Sequence, residues 1–285
     1  MEIFRTLGAL IEPPGPALVP LAELLDLGPL PEEAEHSELF LFQLYPYASV
    51  YLGPEGMLGG EARDRIAGFW RALGQTPVKE PDHLTTLLAF YAELCEHGST
   101  ADPAHAERWQ QARRAYLWEH LLAWLPVYLA KLGTQAPPFY RRWGRLLNEA
   151  LQAEAEAVGP QDRLALHLRA APPISDPRES DLESFLDSLL SPVRSGVLWT
   201  RDDLGRAARD LGIGSRIGER RFILEALLAQ KTGAVLGWIA EEATAWAARL
   251  RQEGGSWGRV LPFWIERAET TAQLAAQLSQ DDSPL

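Results

Sequence analysis

The stretch Lys79 to Gly98, KEPDHLTTLLAFYAELCEHG, places two carboxylates and an imidazole within four residues: Glu80, Asp82 and His83, interrupted by Pro81. Such groups are the raw material of acid–base catalysis. A general acid or base must converge with its partners in a cleft, however, and adjacent positions at a helix start point in different directions. The rest of the chain supplies no partners: there is no G-x-S-x-G, no H-E-x-x-H and no P-loop, and Lys231-Thr232 lacks the preceding glycines that would cradle a phosphate. Gly212-Ile213-Gly214 with Gly218 is one residue too long for a dinucleotide loop and follows a helical pattern where a strand would be needed. Cys95, His97 and His105 are metal-ligating types, but they straddle an expected loop with no fourth ligand. A single cysteine excludes both a paired-cysteine zinc site and an internal disulfide framework. The residues point away from an enzyme and away from a bound metal or cofactor.

The elements that must position these residues are helices. Leu84, Leu87, Leu88, Tyr91, Leu94 and Cys95 fall on one helical face, which makes Glu80-Pro81-Asp82-His83 a helix start. Pro81 suits the first helical position, Asp82 the first turn and Gly98 the stop. Glu38 to Leu52 is apolar nearly all round and reads as a buried helix that Pro46 bends or breaks. Glu61 to Leu73 is amphipathic, with Ile66, Phe69, Trp70 and Leu73 on one side. Asp102-Pro103 opens a long helix through Trp109, Tyr116, His120 and Trp124, kinked by Pro126, and Pro137-Pro138 starts another carrying Tyr140, Trp143, Leu147 and Leu151.

After Gly159-Pro160, the turn-rich stretch Ala171 to Arg178 reads as a linker. Shorter helices follow at Asp181 to Leu190, Asp202 to Leu211, Glu219 to Gln230 and Ala234 to Leu250, then a last one from Val260 to Leu278 and a disordered tail, SQDDSPL. No alternating strand pattern occurs. The expected fold is all-α, with a helical domain over residues 1–160, a linker over 161–180 and an additional helical region over 181–285.

The net charge of −12 opposes nucleic-acid binding. Its distribution is uneven: nine carboxylates and no Lys or Arg lie between Arg5 and Arg63, and six carboxylates and no Lys or Arg from Glu80 to Glu107. Such a surface attracts a basic partner. No run of 18 apolar residues and no basic leader with an apolar core is present, so a cytoplasmic protein without stable membrane insertion is expected. One segment runs against the charge. Thr200 to Leu228 reads as two helices joined by a glycine-containing turn, with Arg216, Arg220 and Arg221, and resembles a helix-turn-helix; a DNA-binding regulator using residues 200–228 is therefore the alternative reading. Gly218 stands where that motif needs a branched apolar residue, and Asp202, Asp203, Asp210 and Glu219 repel phosphate.

Three stretches resemble the TorD/DmsD/NarJ family of redox-enzyme maturation chaperones. Glu80-Pro81-Asp82-His83-Leu84 with its apolar helix is similar to the family's signature. Tyr45-Pro46-Tyr47-Ala48-Ser49-Val50-Tyr51-Leu52, with Gly56 and Phe69-Trp70, resembles its N-terminal helices, and His120 to Pro126 followed by Pro138-Phe139-Tyr140 its later pair. The resemblance covers Glu38 to Leu151. It implies a TorD-like helical bundle, a non-catalytic protein without cofactor, and a partner that is the catalytic subunit of a molybdenum-cofactor oxidoreductase or its twin-arginine signal peptide. It is compatible with a homodimer. By position, Glu80, Pro81, Asp82 and His83 would line the client site, with Tyr45, Trp70, His120 and Trp124 as secondary candidates.

Overall fold

Apolar side chains recurring every three or four residues fold as helices along the whole chain, and among the described residues there is no strand or sheet. The computed structural model describes residues 2–100, 103–255 and 257–280; Asp102, expected to cap a helix, and the end of the tail from residue 281 lie outside the described residues. In chain order the helices are α1 (Glu2–Ala9), α2 (Val19–Leu24), α3 (Glu33–Ser37), α4 (Ala48–Leu52), α5 (Gly60–Ala72), α6 (Leu84–Thr100), α7 (Pro103–Tyr116), α8 (Leu125–Gln135), α9 (Pro138–Val158), α10 (Leu166–Ala170), α11 (Leu182–Leu190), α12 (Pro192–Ser195), α13 (Arg201–Leu211), α14 (Arg220–Gln252) and α15 (Val260–Gln280). Wider π-helical turns follow α3 at Glu38–Gln43 and α7 at Leu117–Leu121.

Two compact units result. One comprises the chain up to Ser49, Leu58–Arg169 and Gly255–Val260; the other comprises Val50–Met57, Ala170–Gly254 and the chain from Leu261. In the first, α1 packs on α6 and α9, and α6 packs on α7. Gly8 permits the close approach, since a Cβ there would stand 3.3 Å from the Thr85 carbonyl oxygen. Around that contact Phe4 meets Tyr91 edge-on at 5.1 Å, and the Trp143 indole donates to the Leu7 carbonyl at 2.9 Å. Trp143 is fully enclosed, and burying a large apolar side chain of this kind contributes roughly 1.5–3 kcal/mol.

In the second unit Thr200 and Asp203 form a reciprocal capping box that starts α13, and Gly212 ends it in the left-handed conformation (φ 60°). Helix α14 departs from helical geometry at Lys231 (φ −150°, ψ 71°), between the two shorter helices that periodicity predicts. By length and composition α14 is the one helix among the described residues that could cross a membrane, although no run of 18 apolar residues exists. Its apolar side chains Val235, Leu236, Ile239 and Ala243 are already buried within the unit.

Several local expectations are corrected. Helix α6 begins at Leu84, so Pro81 and Asp82 precede it; it runs through Gly98 to Thr100. The Glu38–Leu52 segment is broken after Gln43 as Pro46 demands, but Leu41 and Phe42 are exposed, so it is not buried all round. The helix leading to Pro126 is not kinked there. It ends in the π-helical turn, Trp124 turns away from helical geometry (φ −136°), and Pro126 lies in the first turn of a new helix, α8, where a missing N–H costs nothing.

Candidate functional site

The Glu-Pro-Asp-His stretch and the Tyr45–Leu52 stretch meet in the first unit through their backbones. The Ala48 N–H donates to the Asp82 carbonyl at 2.9 Å, and the Leu84 N–H donates to the Pro46 carbonyl at 2.8 Å. Two helix starts thus satisfy each other's orphan donors across an antiparallel bridge between Tyr47 and His83. Side chains complete the clasp. The Ser49 hydroxyl donates to Asp82 Oδ2 at 2.5 Å and accepts from the Gly59 N–H at 3.0 Å. With both its backbone and its carboxylate engaged by a segment far away in sequence, Asp82 is held out of the helix. The His83 carbonyl instead accepts the first helical bond, from the Leu87 N–H at 2.9 Å.

This arrangement sorts the four motif residues. Pro81 and Asp82 are buried and build the clasp, whereas Glu80 is exposed and His83 half-buried. The Tyr47 hydroxyl donates to Glu80 Oε2 at 3.0 Å, and its ring stands edge-on to His83 at 4.7 Å. Desolvation, reinforced by Glu80, pushes the Tyr47 hydroxyl up to about 12. Desolvation lowers the His83 imidazole below its ordinary value, against the upward pull of Glu12, Glu80 and Asp82.

Trp70 and His120 belong to a second cluster. Trp70 stacks on Phe90 at 4.0 Å, Phe90 meets Tyr116 at 5.1 Å, and His120 lies 5.2 Å from Tyr116 and 5.3 Å from Phe69. His167 of α10 closes the group at 6.0 Å from His120. Burial lowers the imidazole pKa to about 3 at His120 and about 4 at His167, helped by the Arg65 cation, so both are neutral near pH 7. His120 Nδ1, His167 Nε2 and Arg65 Nη1 are buried with no hydrogen-bond partner among the described residues.

Trp124 lies deeper still. It is fully enclosed, donates its indole N–H to the His120 carbonyl at 2.9 Å and meets Tyr128 edge-on; it offers no surface in this conformation. Tyr128 in turn donates to the Leu44 carbonyl at 3.2 Å, beside half-buried Tyr45, so Trp124 braces both clusters from behind. The sequence reading passes over Ser49, Glu12, Arg65, Tyr116 and His167 as site residues. Tyr47 and Ser49 stand within a quoted stretch, but their partners are more than thirty positions away and leave no periodic signal.

Among the described residues no three His, Cys, Asp or Glu converge as a metal cluster. In the other unit, the arginines on which a DNA-binding reading relies are largely committed. Arg220 donates to the Trp199 carbonyl at 2.9 Å, and Arg221 is ringed by Glu183, Asp187 and Glu225.

Residues 12–130 match the model of the family described as nitrate reductase delta subunit. The selenate reductase assembly chaperone protein of Thauera selenatis is 35% identical over 113 residues, which are 39% of this chain and 57% of that protein. The chlorate reductase assembly chaperone protein of Ideonella dechloratans is 37% identical over 91 residues, 31% of this chain and 47% of that protein. Chaperone protein TorD of Shewanella pealeana is 29% identical over 139 residues, covering 43% and 58% respectively. The chain spans about half the length of the curated relatives it matches. The matched part contains the clasp, Trp70, Tyr116, His120 and Trp124. Over residues 12–130, the segment that builds both side-chain clusters up to α10, the chain is similar to the nitrate reductase delta subunit family, the TorD/NarJ family.

Proposed function

We propose that this protein is a cytoplasmic, non-catalytic chaperone that binds the N-terminal or leader segment of a molybdenum-cofactor oxidoreductase, holds the apoenzyme for cofactor insertion and proofreads its export. The observation that carries the reading is the clasp. A pair of helix starts presents the exposed carboxylates of Glu80 and Glu12 around Tyr47 and a half-buried His83. A leader offers paired arginines followed by an apolar helix-forming run. Carboxylates meet the first by charge-assisted hydrogen bonds, and aromatic and leucine walls meet the second by helix-in-groove packing. In this reading Glu80 and His83 touch the client, Pro81 and Asp82 position them, Tyr45, Trp70 and His120 supply the wall, and Trp124 supports it from within. Client binding resides in the domain over residues 1–160, with the region over 181–285 an addition to it. Titration of a synthetic leader peptide against wild type, Glu80→Gln and His83→Ala tests the proposal. Weaker binding in both variants is expected; unchanged binding in both would reduce the motif to a helix start. The client itself is to be identified by mass spectrometry of what co-purifies from the source cell.

A further inference from the structure

The second cluster is covered by its own chain. After α9 ends at Gly159 the backbone doubles back over the π-helical turn as a strap, GPQDRLALHLRA, whose last residues form α10. Three side chains from or just before that turn hold it. Trp118 Nε1 donates to the Gly159 carbonyl at 3.0 Å, Arg114 donates to the Pro160 carbonyl, and Glu119 Oε2 accepts from the Leu166 N–H at 2.7 Å. Ala165, His167 and Leu168 turn inward, with His167 against His120, while Leu166 remains 44% exposed.

The composition of the strap matters here. Arg163-Leu164-Ala165-Leu166-His167-Leu168-Arg169 is an apolar run between two arginines, helical from Leu166, and it shares with the client segment proposed above arginine beside an apolar helix-forming stretch. Its fit is also incomplete. It closes over His120 without pairing the buried His120 Nδ1, and His167 adds an unpartnered Nε2 of its own. Leaving buried donors and acceptors unpaired costs free energy for each group, so a better occupant of the same seat has something to gain.

We propose that residues 159–169 are an internal stand-in for the client: the strap occupies the aromatic–histidine seat of Phe69, Trp70, Tyr116 and His120 in the free protein, and a client's arginine-flanked apolar segment displaces it. This rests on the client-binding reading above. The occupied state lowers apparent affinity by the fraction of molecules whose seat is closed, and so suppresses capture of weakly matching peptides.

The test uses the full chain and two fluorescently labelled synthetic peptides: residues 159–170 of the strap, and a leader-like peptide with two adjacent arginines before a Leu/Ala run. Each is titrated against wild type, against a chain with Arg163–Arg169 replaced residue for residue by Gly and Ser, and against Glu119→Ala. A seat open about a tenth of the time gives the leader-like peptide about tenfold tighter binding to the replaced chain than to wild type. Loss of the Glu119 contact alone gives a gain of about threefold. The strap peptide binds the replaced chain, and the leader-like peptide competes it off. Equal affinity of the leader-like peptide for wild type and the replaced chain, both with intact helical circular dichroism, overturns the strap while leaving client binding standing. Binding of the strap peptide by neither chain overturns it too. Capture of the strap peptide alone, with the leader-like peptide bound by no chain, refutes the competition together with the client reading. Should the replaced chain fail to fold, unchanged affinity in Glu119→Ala decides against the proposal.

Discussion

At the scale of single residues, the four-residue motif separates into two roles that substitution can resolve. Asp82 is 2% exposed and accepts the Ser49 hydroxyl, so Asp82→Ala strands a buried donor and is expected to lower unfolding stability by about 1–3 kcal/mol. Glu80 is exposed and bonded only at its tip, so Glu80→Gln is expected to stay within about 0.5 kcal/mol of wild type while weakening leader binding. Urea denaturation and peptide titration on the same two variants separate scaffold from contact. The buried histidines yield a second expectation. Their folded pKa values of about 3 and about 4 lie below the ~6.5 of an unfolded histidine, so the unfolded chain takes up protons first as the pH falls. The stability they contribute is full above pH ~6.5 and is lost as the pH falls to about 4 for His167 and about 3 for His120, at about 2 kcal/mol per histidine between pH 7 and pH 5. Denaturant midpoints at the two pH values measure the loss, and the pair His120→Gln with His167→Gln should remove most of it.

At the scale of elements, glycines that end helices divide by what surrounds them. Gly196 closes α12 at φ 75°, and a Cβ there would stand 2.3 Å from the Ala268 backbone nitrogen. Gly212 closes α13 at φ 60°, with nothing within 4 Å of a Cβ. Gly196→Ala is therefore expected to cost about 2–4 kcal/mol, strain and clash together, and Gly212→Ala only about 1 kcal/mol, as thermal unfolding would register. The same contrast explains how much was legible beforehand. Helices α5, α9, α11, α13 and α15 follow from periodic apolar positions, and α11 and α13 also from local caps, which are properties of neighbouring residues. The start of α6 does not, because Ser49 and Ala48 claim Asp82 from 33 and 34 positions away. The π-helical turn that seats His120 was equally hidden, since a wider turn leaves the apolar pattern almost unchanged. His167 fell in a stretch read as linker, where nothing local marks a side chain that closes over a distant ring. Pro126 reads in the sequence as a kink within one helix, yet the chain turns two residues earlier, at Trp124, so that the proline lies in the first turn of a new one.

At the scale of the whole molecule, the net charge of −12 and the Lys- and Arg-free stretches lead to the expectation that the proposed client capture is electrostatic in part. Raising the salt should weaken leader binding, because exposed pairs are screened over a Debye length of ~8 Å near physiological ionic strength. A salt titration of the anisotropy-measured Kd, in wild type and Glu80→Gln, should show a shallower slope in the variant. The division of the chain into interleaved segments also bears on manufacture. The first unit is finished only by Gly255–Val260, where Trp257 is buried and a Cβ on Gly258 would rest 3.6 Å from the Trp118 ring. The second needs Val50–Met57, whose Gly53 carbonyl accepts from the Ser191 hydroxyl at 3.4 Å. A ribosome adding residues at about 5–20 per second takes about 10–40 s to travel from one interleaved segment to the other. Throughout that interval the nascent chain has unfinished apolar faces. A polypeptide released at residue 169 should bind a hydrophobic dye that the full chain ignores. A protein proposed to shelter other unfinished polypeptides thus passes through its own synthesis as one of them.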